Sequence, residues 1–308
     1  MSTETTPRQD VYTRVTTRII EELEKGVRPW LKPWNAENAA ARITRPLRHN
    51  GTPYKGVNVL LLWGDTMDKG FTGNIWMTFK QAQELGGHVR KGEHGSLVVY
   101  ADRFKKTETD DNGQDVEREI PFMKGYTVFN TEQIEGLPDQ YYVKPEPNGE
   151  PLQLIEKAEE FFAKTRAEIR HGGNRAFYAP GPDVIQLPYP ETFTDAESYA
   201  ATKAHELTHW TKHKTRLDRD FGRKQWGDEG YAKEELVAEL GAAFLAADLG
   251  IAAEPREDHA AYIASWLKAL NNDKRFIFSA AAHAQRAVDY LHQLQGNAKA
   301  EEDNKEAA

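Results

Sequence analysis

A chain of 308 residues with 39% hydrophobic content is long enough to bury the cores of two domains. A mean hydropathy of −0.73, with no apolar run near the ~18 residues of a membrane span, argues against a membrane partner. The absence of cysteine excludes disulfides and thiolate ligands, so a bound metal must be held by His and carboxylates.

The net charge of −8, taken alone, argues against nucleic acid, but its distribution is uneven. Lys25 to Lys106 holds more than twice as many basic as acidic residues, and the acids gather in "TETDDNGQDVERE" at 107–119. The opening "MSTETTPRQD" has no basic stretch leading into an apolar one, so no secretion signal is read and a cytoplasmic location is expected.

In chain order, Val11, Val15, Ile19 and Leu23 recur at helical spacing and predict a helix over 10–25, ended by Gly26. "RPWLKPW" (28–34) is broken by Pro29 and Pro33 and reads as an extended arm carrying Trp30, Lys32 and Trp34. Residues 56–64 predict a short buried helix. "NIWMTF" (74–79) predicts a strand, with Thr78 capping a helix through Glu84 that stops at Gly86-Gly87. "GSLVVYADRF" (95–104) and "REIPFMKGYTVFN" (118–130) predict strands of one long hairpin with an acidic tip.

The proline-rich stretch 136–151 reads as a linker. Beyond it the pattern predicts helices over 152–168, 195–213, 231–250, 257–270 and 278–295, and a strand at "DVIQLP" (183–188). The expected fold class is α+β in two domains. A mixed α/β domain spans 1–140, a mainly helical one spans 141–296, and 297–308 form a disordered tail.

"ATKAHELTHWTKH" (201–213) contains an HExxH. On a helix, His205 and His209 share a face and can bind one ion, while Glu206, a quarter-turn round, is placed to take a proton from water. The alternative is a polar helix with solvated side chains. A catalytic zinc site wants a third protein ligand and an open position. Lys212 and Thr215 stand where the long metzincin pattern needs Gly and His, so that class is excluded. On a downstream helix, Glu235 and Glu239 form the E-x-x-x-E arrangement of gluzincins. Glu235 is the expected third ligand to Zn²⁺ or another divalent ion, and Glu239 the expected partner of a ligand imidazole. Glu234 faces a different side from Glu239. His213 continues the histidine face, as a ligand or simply towards solvent. Tyr231 either polarises a carbonyl or packs. "DVIQLP" is either an edge strand that holds a peptide or a core strand.

The basic window also interleaves cations with aromatics: Trp30, Lys32, Trp34, Arg45, Arg48, Tyr54, Lys55, Trp76, Phe79, Lys80, Arg90 and Lys91. Single-stranded nucleic acid binds such mixtures, cations tracking phosphates and rings stacking on unpaired bases. A Trp-rich core with solvated cations is the competing reading.

"RPWLKPW", "NGTPYKGVNVLLLW", "WMTFKQAQELGGHVRKGEHGSLVVY" and "YTVFNTEQIEGLP" resemble the N-terminal domain of ArdC-type antirestriction proteins, shared with TraC-type plasmid primases. "YAPGPDVIQLP", "HELTHWTKHKTRLDRDFG" and "YAKEELVAELGAAFL" resemble the zincin-type metallopeptidase domain joined to it. The resemblance covers roughly residues 8–295. It implies a protein of conjugative plasmids that binds entering single-stranded DNA and helps it survive restriction, with a metalloprotease-like site. Three readings compete: a binding protein that shields DNA, a DNA-tethered protease acting on a protein target, and a metal site that only stabilises the fold.

Overall fold

The structure, a computed structural model, describes residues 9–30, 44–109, 115–142, 151–222, 229–251 and 260–306. The first helix, α1 (Val11–Glu24), starts at Asp10, whose carboxylate accepts the Thr13 amide at 3.0 Å. α2 (Val57–Lys69) runs further than the expected 56–64: Gly64 is carried inside the helix, where a Cβ would stand 3.1 Å from Arg18 Nη2 of α1, and the helix ends only at the left-handed Gly70. Thr78 caps α3 (Phe79–Glu84), as expected, and Gln81 completes a capping box that the sequence reading did not assign.

The N-terminal sheet has strands β1 (Leu47–Arg48), β2 (Ile75–Met77), β4 (Ser96–Thr109) and β5 (Asp115–Asn130) in the order β1-β2-β5-β4. β3 (His88–Val89) pairs separately with β6 (Ile134–Glu135). β4 and β5 make the expected hairpin, in register from Ser96↔Val128 to Thr109↔Asp115. Asn58 of α2 closes the free edge of β4: its side chain accepts from the Val99 amide (2.7 Å) and donates to the Val99 carbonyl (2.8 Å).

The C-terminal half contains α4 (Pro151–Lys164), a three-stranded sheet and four further helices: α5 (Ala196–Trp210), α6 (Glu229–Leu249), α7 (Ala260–Asn272) and α8 (Phe276–Glu306). The sheet strands are β7 (Glu168–His171), β8 (Phe177–Ala179) and β9 (Val184–Leu187), in the order β7-β9-β8. Strand β9 is therefore central, parallel to β7 and antiparallel to β8, and cannot be the edge that receives a peptide. Its own sequence could not show this, since β7 and β8, of four and three residues, are too short to display an alternation. Helix α8 passes through the expected tail to Glu306, since "AKAEEDNKE" is rich in helix formers and lacks proline. Among the described residues no helix is long and apolar enough to cross a membrane.

The architecture is two-domain, a mixed α/β N-terminal part and a helical C-terminal part, but one buried apolar cluster runs through both, from Val15 and Leu60 to Leu240 and Leu291. Trp30 meets Trp266 edge-on at 5.8 Å, and Trp63 meets Phe244 at 6.0 Å. Arg45 reinforces the junction. Its guanidinium donates to both Asp248 oxygens (2.8 and 3.1 Å) and to Gln285 (3.1 Å), and lies over the Phe244 ring. The first part of the expected linker is fastened to the N-terminal half, because the Tyr142 hydroxyl accepts from the Leu137 amide and donates to the Ile134 carbonyl. Residues 143–150 lie outside the described set.

Candidate metal centre

Helix α5 begins at Asp195, which accepts the Ser198 amide at 2.7 Å, and its second half is buried without a break from Ala200 to Trp210. That burial comes from α6, a helix apolar round most of its surface, together with α4, α8 and the strands β8 and β9. The two helices approach closely where Gly241 of α6 meets Thr208 of α5. A Cβ at Gly241 would stand 2.5 Å from Thr208 Cγ2, so only glycine permits this spacing. Thr208 lies between the two histidines, and the contact sets the register that brings Glu235 to them.

His205, His209 and Glu235 each offer one donor atom, and these atoms lie within 4.8 Å of one another. Glu235 Oε2 is 3.6 Å from His205 Nε2, and its Oε1 is 3.6 Å from His209 Nε2. Those separations are long for hydrogen bonds. They are close to the ~3.4 Å between ligand atoms at ~2.0–2.1 Å from a tetrahedral ion. The donor set therefore fits a divalent cation. The imidazoles push the Glu235 carboxyl below its usual range against the opposing effect of burial.

The Nδ1 atoms point outward to a second pair of carboxylates. His205 Nδ1 lies 3.4 Å from Glu239, as the E-x-x-x-E reading expects. His209 Nδ1 donates to Glu234 at 2.9 Å, a role the sequence reading did not assign. Glu234 is in turn gripped by Arg219, which donates Nε to Oε2 (2.8 Å) and Nη2 to Oε1 (2.9 Å). Arg219 also donates to the Thr208 carbonyl (2.9 Å) and the Thr211 hydroxyl (3.0 Å), which ties it to the end of α5. Burial alone would raise the Glu234 carboxyl; Arg219 and His209 outweigh it and bring it down to about 2. Both imidazoles are thus oriented with Nε2 facing inward.

Glu206 is buried on α5 between the two histidines in sequence. His213 is not in the cluster; its Nδ1 is engaged by the Thr215 hydroxyl at 2.8 Å. Tyr231 does more than pack. Its hydroxyl is 2.8 Å from that of Tyr262, and burial, Tyr262 and Glu235 together push the phenol far up.

Two family profiles match the chain: the N-terminal domain of anti-restriction factor ArdC over residues 9–129, and a zincin-like metallopeptidase over residues 156–283. An uncharacterized protein, y4eC of Sinorhizobium fredii, is 41% identical over 310 residues, covering 98% of each chain. DNA primase TraC of Escherichia coli is 41% identical over 297 residues, which is 91% of this chain but 27% of that much longer protein. The metal-free crystal structure of the antirestriction protein ArdC from plasmid R388 is 45% identical, with a TM-score of 0.79 over 94% of this chain and 99% of that one. Its Mn(II)-bound form gives 44% and 0.75, over 93% and 98%. The chain belongs to the ArdC antirestriction family.

In this ArdC-family chain the basic and aromatic candidates do not form one surface. Trp30, Tyr54 and Trp76 are core residues, and Arg45 is the buried junction cation. These rings satisfy the apolar demand of a small domain and offer no face to a base. Arg48 lies over the Tyr54 ring, Lys55 pairs with Asp289, Lys80 with Glu84 and Arg90 with Glu93. Phe79 is 50% exposed and meets Phe129 edge-on, and Lys91 is exposed. Lys32 and Trp34 lie outside the described residues. The sequence reading missed the exposed aromatics of the β4–β5 hairpin: Tyr100, Phe104 and Tyr126. Their strands are legible in the sequence, but no local pattern says whether these rings face core or water, since Tyr100 stands between Val99 and Ala101.

Proposed function

We propose that this protein binds single-stranded DNA entering a cell and protects it from restriction, and that its C-terminal domain holds a divalent ion, Zn²⁺ or a similar metal, at a peptidase-type site. Similarity to R388 ArdC over nearly the whole of both chains supports the antirestriction role, and the relation to a DNA primase supports a DNA ligand. The observation that carries the chemistry is the convergence of His205, His209 and Glu235, with Glu206 on the same helix as the histidines.

His205, His209 and Glu235 would hold the ion through one donor atom each. Bound there, a divalent ion supplies Lewis-acid polarisation to a carbonyl and to a water. Glu239 and Glu234 keep the imidazoles aimed inward, and Arg219 keeps Glu234 ionised. Glu206 takes the proton of the attacking water and passes it to the leaving amine. A site that only stabilised the fold would have no use for a carboxylate at that position.

The test is transfer of an unmodified plasmid into a restricting and a non-restricting host, with and without the chain, and with Glu206→Ala. Transfer should rise only in the restricting host. Equal transfer with and without the protein would contradict the antirestriction reading. Full protection by Glu206→Ala would separate protection from hydrolysis.

A further inference from the structure

In the β4–β5 hairpin, cross-strand partners share a face. One face carries Arg103 paired with Glu119 and Lys105 paired with Glu117, an ordinary ladder of ion pairs in water. The other face carries Tyr100, Phe104, Phe122 and Tyr126 in an unbroken row. Tyr126 meets Tyr100 at 6.3 Å, Tyr100 meets Phe122 at 6.1 Å, and Phe122 meets Phe104 at 6.0 Å. Cross-strand rings stabilise a hairpin, but that role does not require them to stay in water. Here Tyr100 is 48% exposed, Phe104 47% and Tyr126 44%. Three cations share this face: Lys124, 5.4 Å over the Phe122 ring, and Lys106 opposite Arg118 further out. Asp102 is the one acid between Val98 and Lys106 on it.

We infer that this aromatic face is where single-stranded DNA stacks, with Lys124, Lys106 and Arg118 set to meet its phosphates. The inference rests on the DNA-binding reading above and names its surface. Half-exposed rings beside cations suit unpaired bases on a phosphate backbone, and the face is positive where that backbone is negative. A strand-like protein partner is disfavoured at the base, where Asn58 already occupies the free edge of β4.

The test uses the full-length protein and a fluorescein-labelled dT20 oligonucleotide, read by anisotropy at low salt. Tyr100→Ala with Phe104→Ala should weaken binding by about fivefold or more per ring. Lys124→Gln should flatten the salt dependence. Circular dichroism checks that each variant is folded. If the wild type binds dT20 and the folded double-alanine variant binds it equally well, the hairpin is not the surface while the DNA-binding reading stands. If the wild type does not bind dT20, the reading itself fails and the inference with it. Loss of a dimer in the double-alanine variant, with DNA affinity unchanged, would make the face a contact between copies and overturn the inference.

Discussion

The α5–α6 pair and the N-terminal basic domain were both read from residue types, and they behaved differently. In the helix pair, spacing was geometry. His205 and His209 share a face because a helix turns every ~3.6 residues, and Glu235 and Glu239 share a face for the same reason. Folding then had only to bring two faces together, which Gly241 against Thr208 does. In the basic domain, composition carried no position. Trp30, Tyr54 and Trp76 were as good a stacking set as any on paper, and all three are core. Chemistry written at a fixed period survives folding, whereas chemistry written as an average over eighty residues does not.

The largest expected effect lies at Glu206. Glu206→Gln should keep metal and lose peptide hydrolysis by ~10²–10⁴-fold, the usual contribution of a positioned general base. Metal content by atomic absorption checks the first part and turnover of a casein-type substrate the second. Metal loss in this variant would make Glu206 a ligand and blur the line between spacing and chemistry.

Next is the core reading of Trp76. Trp76→Ala should destabilise the fold by about 3–5 kcal/mol, measured by urea unfolding, with DNA affinity per folded molecule unchanged. A stable variant with weakened DNA binding would restore Trp76 to the binding surface and break the comparison. At the outer carboxylates, Arg219→Leu leaves Glu234 buried without its cation, and metal affinity should fall by roughly 10–100-fold in a chelator competition. Glu239→Ala should fall within the same range. No change in Arg219→Leu would mean that Glu234 does not orient His209.

The smallest effect is electrostatic. His283 is pushed down from 6.5 to about 4, first by burial and then by Arg286, Arg219 and Lys233. The folded state resists a proton that the unfolded chain accepts, so this group's contribution is complete above pH 6.5 and is lost as pH falls towards 4. His283→Gln should make thermal stability less pH-dependent in that window. An unchanged slope would show that the imidazole titrates normally.

The legible parts of this molecule are those whose determinants are local. Thr78 announced a capped helix, and the strand-like runs 95–104 and 118–130 about a turn-rich link announced the hairpin. What stayed hidden depends on neighbours far along the chain. β9 reads as a strand, but its central place requires β7 and β8 beside it. Tyr100 and Phe104 read as strand residues, but whether they face core or water depends on what covers the distal hairpin. Glu234 and Arg219 stand 15 residues apart in the chain with no repeat to advertise the pairing. Arg45 has the residue type of a phosphate ligand, but Asp248, 203 residues further along the chain, takes its charge.

The central claim is that Glu235, and not its neighbour Glu234, completes the metal site with His205 and His209. Metal stoichiometry after dialysis, for the wild type, Glu235→Ala and Glu234→Ala, tests it most directly. One ion per wild-type chain, none in Glu235→Ala, and a weakened but present site in Glu234→Ala is the predicted pattern. Full occupancy in Glu235→Ala with loss in Glu234→Ala would contradict it.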